Sequence, residues 1–225
     1  MKFTLIKLVV ACAALLWAFA VAAEDAPRIG YVRPLVGTDG FGNVYPGAQV
    51  PFGGIQISPD TDDDYYDAAS GYKYAHKTLM GFSLNHLSGT GIPDLGDFLF
   101  MPGVGEIKLE PGTHDDPDAG YRSRYSHDEE WCSPAYYGVN LTDYGVKAEM
   151  TAAQRSGILR FTFPEGEQSR IQIDLARRVG GTAERQYIEV VDKHTIAGWM
   201  KCTPATGGWG NGEGQADYTV YFYAQ

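Results

Sequence analysis

Two short stretches carry the side chains best suited to chemistry. The first, Tyr65-Tyr66-Asp67 followed by Ser70-Gly71-Tyr72-Lys73-Tyr74, alternates flat aromatic rings with hydrogen-bonding groups. Sugar rings are recognised by this combination, because their C–H faces pack on aromatics while carboxylates and amides hold their hydroxyls. The second, His86-Leu87-Ser88-Gly89-Thr90-Gly91 followed by Asp94 and Asp97, bunches polar side chains on a glycine-bearing loop that can approach a ligand closely. Each also has a structural reading: buried tyrosines of a β core, and a turn satisfied by its own Ser, Thr and Asp side chains. The residues alone leave both open.

Other signatures fail on inspection. Asp60-Thr61-Asp62-Asp63-Asp64 begins like a calcium loop, since hard cations want several oxygen ligands. Tyr65 stands where the turn glycine belongs and no Glu closes the motif, so a solvated acidic turn is expected. Gly37, Gly40 and Gly42 lack the dinucleotide spacing and are followed by no helix pattern. There is no G-x-S-x-G elbow, no H-E-x-x-H pair and no C-x-x-C. Asn140-Leu141-Thr142 matches a glycosylation sequon, which matters only in a eukaryotic host.

The elements that must hold these stretches are strands. Ile55 and Ile57, Val139 and Leu141, and Ile171, Ile173 and Leu175 alternate with polar or small residues at the period of a half-buried strand. Further strands are expected at Asp97–Met101, Glu106–Leu109, Val146–Met150, Gly157–Phe163, Tyr187–Val191, Thr195–Met200 and Tyr218–Tyr223. Their spacing near ten residues predicts an all-β fold, an antiparallel β-sandwich. The segments 37–53 and 60–96 break the alternation, and irregular stretches of that length in a compact domain are usually functional. The glycine-rich run 206–215 reads as a flexible hairpin connection. Tyr218–Tyr223 reads as a strand buried on both faces, and a chain that stops two residues later is expected to be a C-terminally incomplete fragment.

Composition narrows the partners. The 225 residues are 44% hydrophobic and 20% charged, which excludes collagenous, coiled-coil and wholly disordered chains. The 28 acidic against 18 basic residues give a net charge of -10, which repels phosphate backbones and anionic lipid, so no nucleic-acid partner is expected. The 28 glycines and 12 prolines favour short elements joined by turns.

The first 22 residues form a signal peptide, with Lys2 and Lys7 before an apolar run and Ala20-Val21-Ala22 at the cleavage site. The run is too short for a span of about 20 residues. A secreted or periplasmic domain over 23–225 is expected, without membrane attachment once the leader is cut. Cys132 and Cys202 then remain and form a candidate disulfide closing a loop of about 70 residues, worth about 4 kcal/mol; two unpaired buried thiols are the alternative.

Taken together, collinear strings resemble the N-terminal part of glycoside hydrolase family 92, the calcium-dependent, inverting exo-α-mannosidases. They run from Val36-Gly37-Thr38-Asp39-Gly40, Gly42-Asn43-Val44-Tyr45-Pro46-Gly47-Ala48 and Pro51-Phe52-Gly53 through Gln56-Ile57-Ser58-Pro59-Asp60-Thr61 and Ser70-Gly71-Tyr72. They continue with Gly81-Phe82-Ser83, His86-Leu87-Ser88-Gly89-Thr90-Gly91, Asp94, Gly96-Asp97, Met101-Pro102, Ser126-His127, Ser133-Pro134 and Tyr136-Tyr137. The resemblance implies a β-sandwich followed by an α/α-barrel domain that carries the catalytic acid and base and most calcium contacts, all beyond Gln225. It implies that Tyr66, Asp67, His86, Ser88, Thr90, Asp94 and Asp97 face a mannose-containing glycan, an α-mannoside of glycoprotein N-glycans or mannans. Tyr66 stands where the family usually has a sugar-stacking Trp, Phe41 and Asn43 where many members have His, and these departures bear on linkage preference. The alternative is a stand-alone carbohydrate-binding module without hydrolase activity. A third class, a structural or adhesion sandwich, would have no sugar site.

Overall fold

A computed structural model describes residues 28–62, 67–208 and 216–225. Residues 1–27, on which the expected leader falls, residues 63–66 with Tyr65 and Tyr66, and the glycine-rich stretch 209–215 lie outside the described residues. Within the N-terminal unit, Arg28–Tyr31 forms a 3-10 turn; the second unit, Arg33–Gln225, carries the strands.

The first sheet has the order β1 (Ala48–Gln49), β2 (Gln56–Asp60), β4 (Gly81–Ser83), β5 (Leu99–Val104) and β11 (Ser169–Asp174). The second runs β10 (Gly157–Thr162), β9 (Val146–Ala152), β8 (Tyr136–Leu141) and β7 (Glu130–Ser133). A third joins β14 (Arg185–Asp192), β15 (Thr195–Cys202) and β16 (Tyr218–Ala224). Two ribbons, β3 (Thr78–Leu79) with β6 (Ser123–Arg124) and β12 (Arg177–Arg178) with β13 (Gly181–Thr182), complete the strands. Every pairing among the described residues is antiparallel. The expected all-β class holds.

The core follows from the period-2 pattern. Ile57, Phe82, Leu99 and Met101 of the first sheet share one buried cluster with Tyr137, Val139, Leu141, Val146, Ala148 and Met150 of the second. Strand β5 is covered on its other face too: Phe100, with the preceding Phe98, joins Leu175 and Met200 in a second cluster, and the Phe98 and Phe222 ring centroids are 4.8 Å apart. Covering on both sides explains the unbroken apolar run Phe98-Leu99-Phe100-Met101, where alternation would otherwise show. This doubly buried strand begins two residues beyond Asp97 and anchors the loop that bears it.

Three expectations need correction. Residues 106–109 form no strand: Gly105, at φ +74°, turns the chain away after β5 and leaves Ile107 and Leu109 exposed. Strand β16 is not buried on both faces but alternates half-buried with exposed residues, Tyr221 and Tyr223 facing outward. Cys132 and Cys202 are both free. Cys132 sits on β7 beside the first cluster, whereas Cys202 ends β15 with its thiol 3.8 Å from Asp97 Oδ1. Burial pushes each thiol up to about 11, so both are protonated at neutral pH and poor nucleophiles.

Candidate functional site

The two irregular segments of the sequence fold as three neighbouring loops. The first, 37–43, is a tight turn in which Asp39 accepts the Gly40 N–H at 2.8 Å, and it carries Phe41 at its tip, 95% exposed. Two backbone hydrogen bonds tie it to the others: Tyr74 N–H donates to Thr38 O at 2.8 Å, and Gly89 N–H to Asn43 O at 2.6 Å. The second loop leaves β2 at Asp60 and returns to it, because Thr61 N–H donates to Gly71 O at 2.7 Å. Gly71 is irreplaceable in that turn: its φ is +85°, and a Cβ would lie 2.0 Å from Asp60 Oδ1.

Within the second loop, Asp67 is half exposed and paired with Lys73 and, at 2.9 Å, with His76 Nε2. The hydrogen bond from Lys73 outweighs partial desolvation, and His76 adds to it, so the Asp67 carboxyl is held below its usual range and ionised. Desolvation, with the nearby His114 imidazole, depresses His76 against the pull of Asp67 and Asp62. Tyr74 stacks on His127 with centroids 3.8 Å apart, while Glu130, whose carboxylate is buried, accepts from Tyr72 and Tyr137 behind it. The quoted tyrosines thus divide between a buried Tyr72 and a partly exposed Tyr74.

The third loop divides more sharply. Ser88, Gly89 and Gly91 are exposed and Thr90 half-buried, its hydroxyl donating to Ile92 O at 3.0 Å. His86 is sealed inside: its side chain has no exposure, Nε2 lies 2.8 Å from Asp60 Oδ1 and 3.0 Å from Ser83 Oγ, and Nδ1 lies 2.8 Å from Gln56 O. Asp94 and Asp97 are buried too. Asp94 pairs with the fully buried Arg178 and accepts the Leu95 N–H. Asp97 accepts from Asn85 Nδ2 at 2.8 Å and from the Tyr218 hydroxyl at 3.1 Å, yet burial still raises its carboxyl above the usual range.

The structure therefore brings Asp67, Ser88 and Thr90 to the surface of adjoining loops and places His86, Asp94 and Asp97 beneath them. Tyr66 lies outside the described residues. A groove of about 590 Å³ along β11, lined by Ile107, Arg170, Ile171 and Arg177 among others, holds none of these residues. Lys73 was quoted within the first stretch but not as the partner of Asp67, and Arg178, the partner of Asp94, was not singled out by sequence reasoning. Nor were His76 and His114, although only five histidines occur in the chain and each merited scrutiny.

No helix among the described residues is long and apolar enough to cross a membrane. Comparison with known proteins gives a consistent picture. The chain is 61% identical, with a TM-score of 0.82, to a family GH92 α-mannosidase from Bacteroides thetaiotaomicron, solved also in complex with mannoimidazole; the match covers 88% of this chain and 25% of that one. It is 25% identical, with a TM-score of 0.66 over 89% of this chain and 25% of that one, to a family GH92 inverting mannosidase from the same organism. A curated protein of Arthroderma benhamiae described as an uncharacterized secreted glycosidase is 30% identical over 149 residues, 64% of this chain and 18% of that protein. The chain thus spans about a quarter of the solved relatives' length and less of the curated one. The glycosyl hydrolase family 92 N-terminal domain matches residues 31–225, and the chain belongs to that family.

Proposed function

We propose that this chain is the sugar-facing N-terminal domain of an exported, calcium-dependent, inverting exo-α-mannosidase acting on α-mannosides of N-glycans or mannans. The 61% identity to an α-mannosidase over 88% of the chain carries the reading. The convergence of the three loops supports it: Asp67, ionised and half exposed, accepts sugar hydroxyls, while Ser88 and Thr90 offer hydroxyls from the adjoining loop. Phe41 presents a free aromatic face for a sugar ring. His86 is a positioning residue, holding Asp60 and hence the turn that carries Asp67.

Chemistry needs an acid to protonate the leaving oxygen and a base to activate water, their carboxyls about 6.5–9.5 Å apart. Asp94 and Asp97 do not supply them, being buried and committed to Arg178, Asn85 and Tyr218. As the family resemblance implies, we infer that both catalytic groups lie beyond residue 225. Calcium takes six to eight oxygens, whereas the cluster of three metal-ligating side chains found among the described residues brings two imidazoles, so it does not fit calcium. What this chain contributes is orientation: contacts to non-reacting hydroxyls fix the glycoside for attack.

Proton NMR of mannose freshly released from yeast mannan by the protein carrying this domain tests the reading. The β anomer should appear first. Release of the α anomer first contradicts inversion, and binding without release favours a carbohydrate-binding module.

A further inference from the structure

Behind Asp67, three side chains from two loops converge on one point. Asp62 follows β2, His76 precedes β3, and His114 lies between β5 and β6; one ligand atom from each falls within 4.8 Å of the other two. His114 Nε2 is 2.6 Å from Asp62 Oδ2, and the imidazole centroids of His76 and His114 are 4.1 Å apart. Two imidazoles this close repel one another as cations, whereas two neutral rings with a carboxylate offer three lone pairs to one ion.

We propose that Asp62, His76 and His114 form a binding site for a zinc-class divalent cation. The donor set decides the class: imidazole suits zinc and its transition-metal neighbours, whereas calcium and magnesium take oxygen. Ligands about 2.0–2.1 Å from a tetrahedral ion stand about 3.3 Å apart, so the three need only small side-chain shifts. They have that room, with side-chain exposures of 20%, 13% and 30% for Asp62, His76 and His114, which also leave an entry path and a fourth position for water.

The surrounding groups are those a metal site needs. His114 Nδ1 is held at 2.9 Å by the Thr78 hydroxyl, which accepts from buried Arg122 at the same distance; this orients the ring and leaves Nε2 toward Asp62. His76 is held at 2.9 Å by Thr61 on one nitrogen and by Asp67 on the other. Binding takes one of those bonds, so the ion reaches the Asp67 loop directly. The site does not depend on the mannoside reading.

Zinc titration of the untagged, metal-stripped protein by calorimetry, with calcium as competitor, tests the site. One equivalent should bind and raise Tm, calcium should not displace it, and His76→Ala or His114→Ala should weaken binding about tenfold or more. In the unsubstituted protein, bound zinc should protect His76 and His114 from diethylpyrocarbonate, a readout that no folding defect can confuse. Absence of saturable binding, unchanged affinity in both folded variants, or no protection of these two histidines would overturn the proposal.

Discussion

Asp67 and Asp97 belong to neighbouring loops of one structure and are in opposite situations. Asp67 is half exposed, its charge favoured by Lys73 and His76; Asp97 has no exposure and its charge is disfavoured by burial in spite of Asn85 and Tyr218. The contrast extends to their surroundings. The Asp67 carboxylate reaches solvent although Lys73 and His76 beside it are largely covered, while around Asp97 the polar groups close on one another and on Arg178 and Asp94. A stretch of polar residues on glycine-rich loops therefore does two jobs: an outer tier is available to a ligand, and an inner tier fixes the backbone that presents it.

The inner tier should fail first and hardest. Arg178→Ala removes the guanidinium from the buried Asp94 carboxylate, and breaking a buried pair costs about 3–5 kcal/mol; urea unfolding measures it, and a loss below 1 kcal/mol would erase the distinction between tiers. Next comes Gly71→Ala, which forces a side chain into φ +85° and onto the Asp60 carboxylate. About 2 kcal/mol or more of stability should go, and the His86 ring resonances should shift as its Asp60 contact is disturbed.

A subtler difference is set by pH. Because the folded-state pKa of Asp97 is raised above its ordinary 3.8, folding takes up a proton between the two values. Stability attributable to this group falls as pH rises through that window and is flat above it. Asp97→Asn should remove that part of the slope, which unfolding at a series of pH values from 3.5 to 7 checks. An identical slope in the variant would place the raised carboxyl elsewhere.

How much of this the sequence disclosed depends on the range of the interactions. Strands such as Val146–Ala152 and Gly157–Thr162 were legible because alternation is local and their pairing is antiparallel neighbour to neighbour. Strand β5 was shifted by two residues at its start, since a strand covered on both faces loses the alternation. Ribbons of two residues, such as β3 and β6, carry no period at all. Within the site, proximity of the three loops followed from their adjacency along the chain, but the fate of individual side chains did not. Asp94 meets Arg178 across 84 positions and Asp62 meets His114 across 52. Nothing local to Asp94 or to the acidic run marks either partner. The cysteine pair misled for the same reason, as sequence gave parity but no separation.

The outer tier gives the smallest effect on stability and the most informative one on function. Asp67→Ala should lower unfolding free energy by no more than about 1 kcal/mol, as expected of a half-exposed ion pair. Measured on α-linked mannobioses with the protein carrying this domain, kcat/KM should fall about tenfold, or about 1.4 kcal/mol of transition-state binding. An unaltered kcat/KM at unaltered Tm would contradict the assignment of these loops to the sugar.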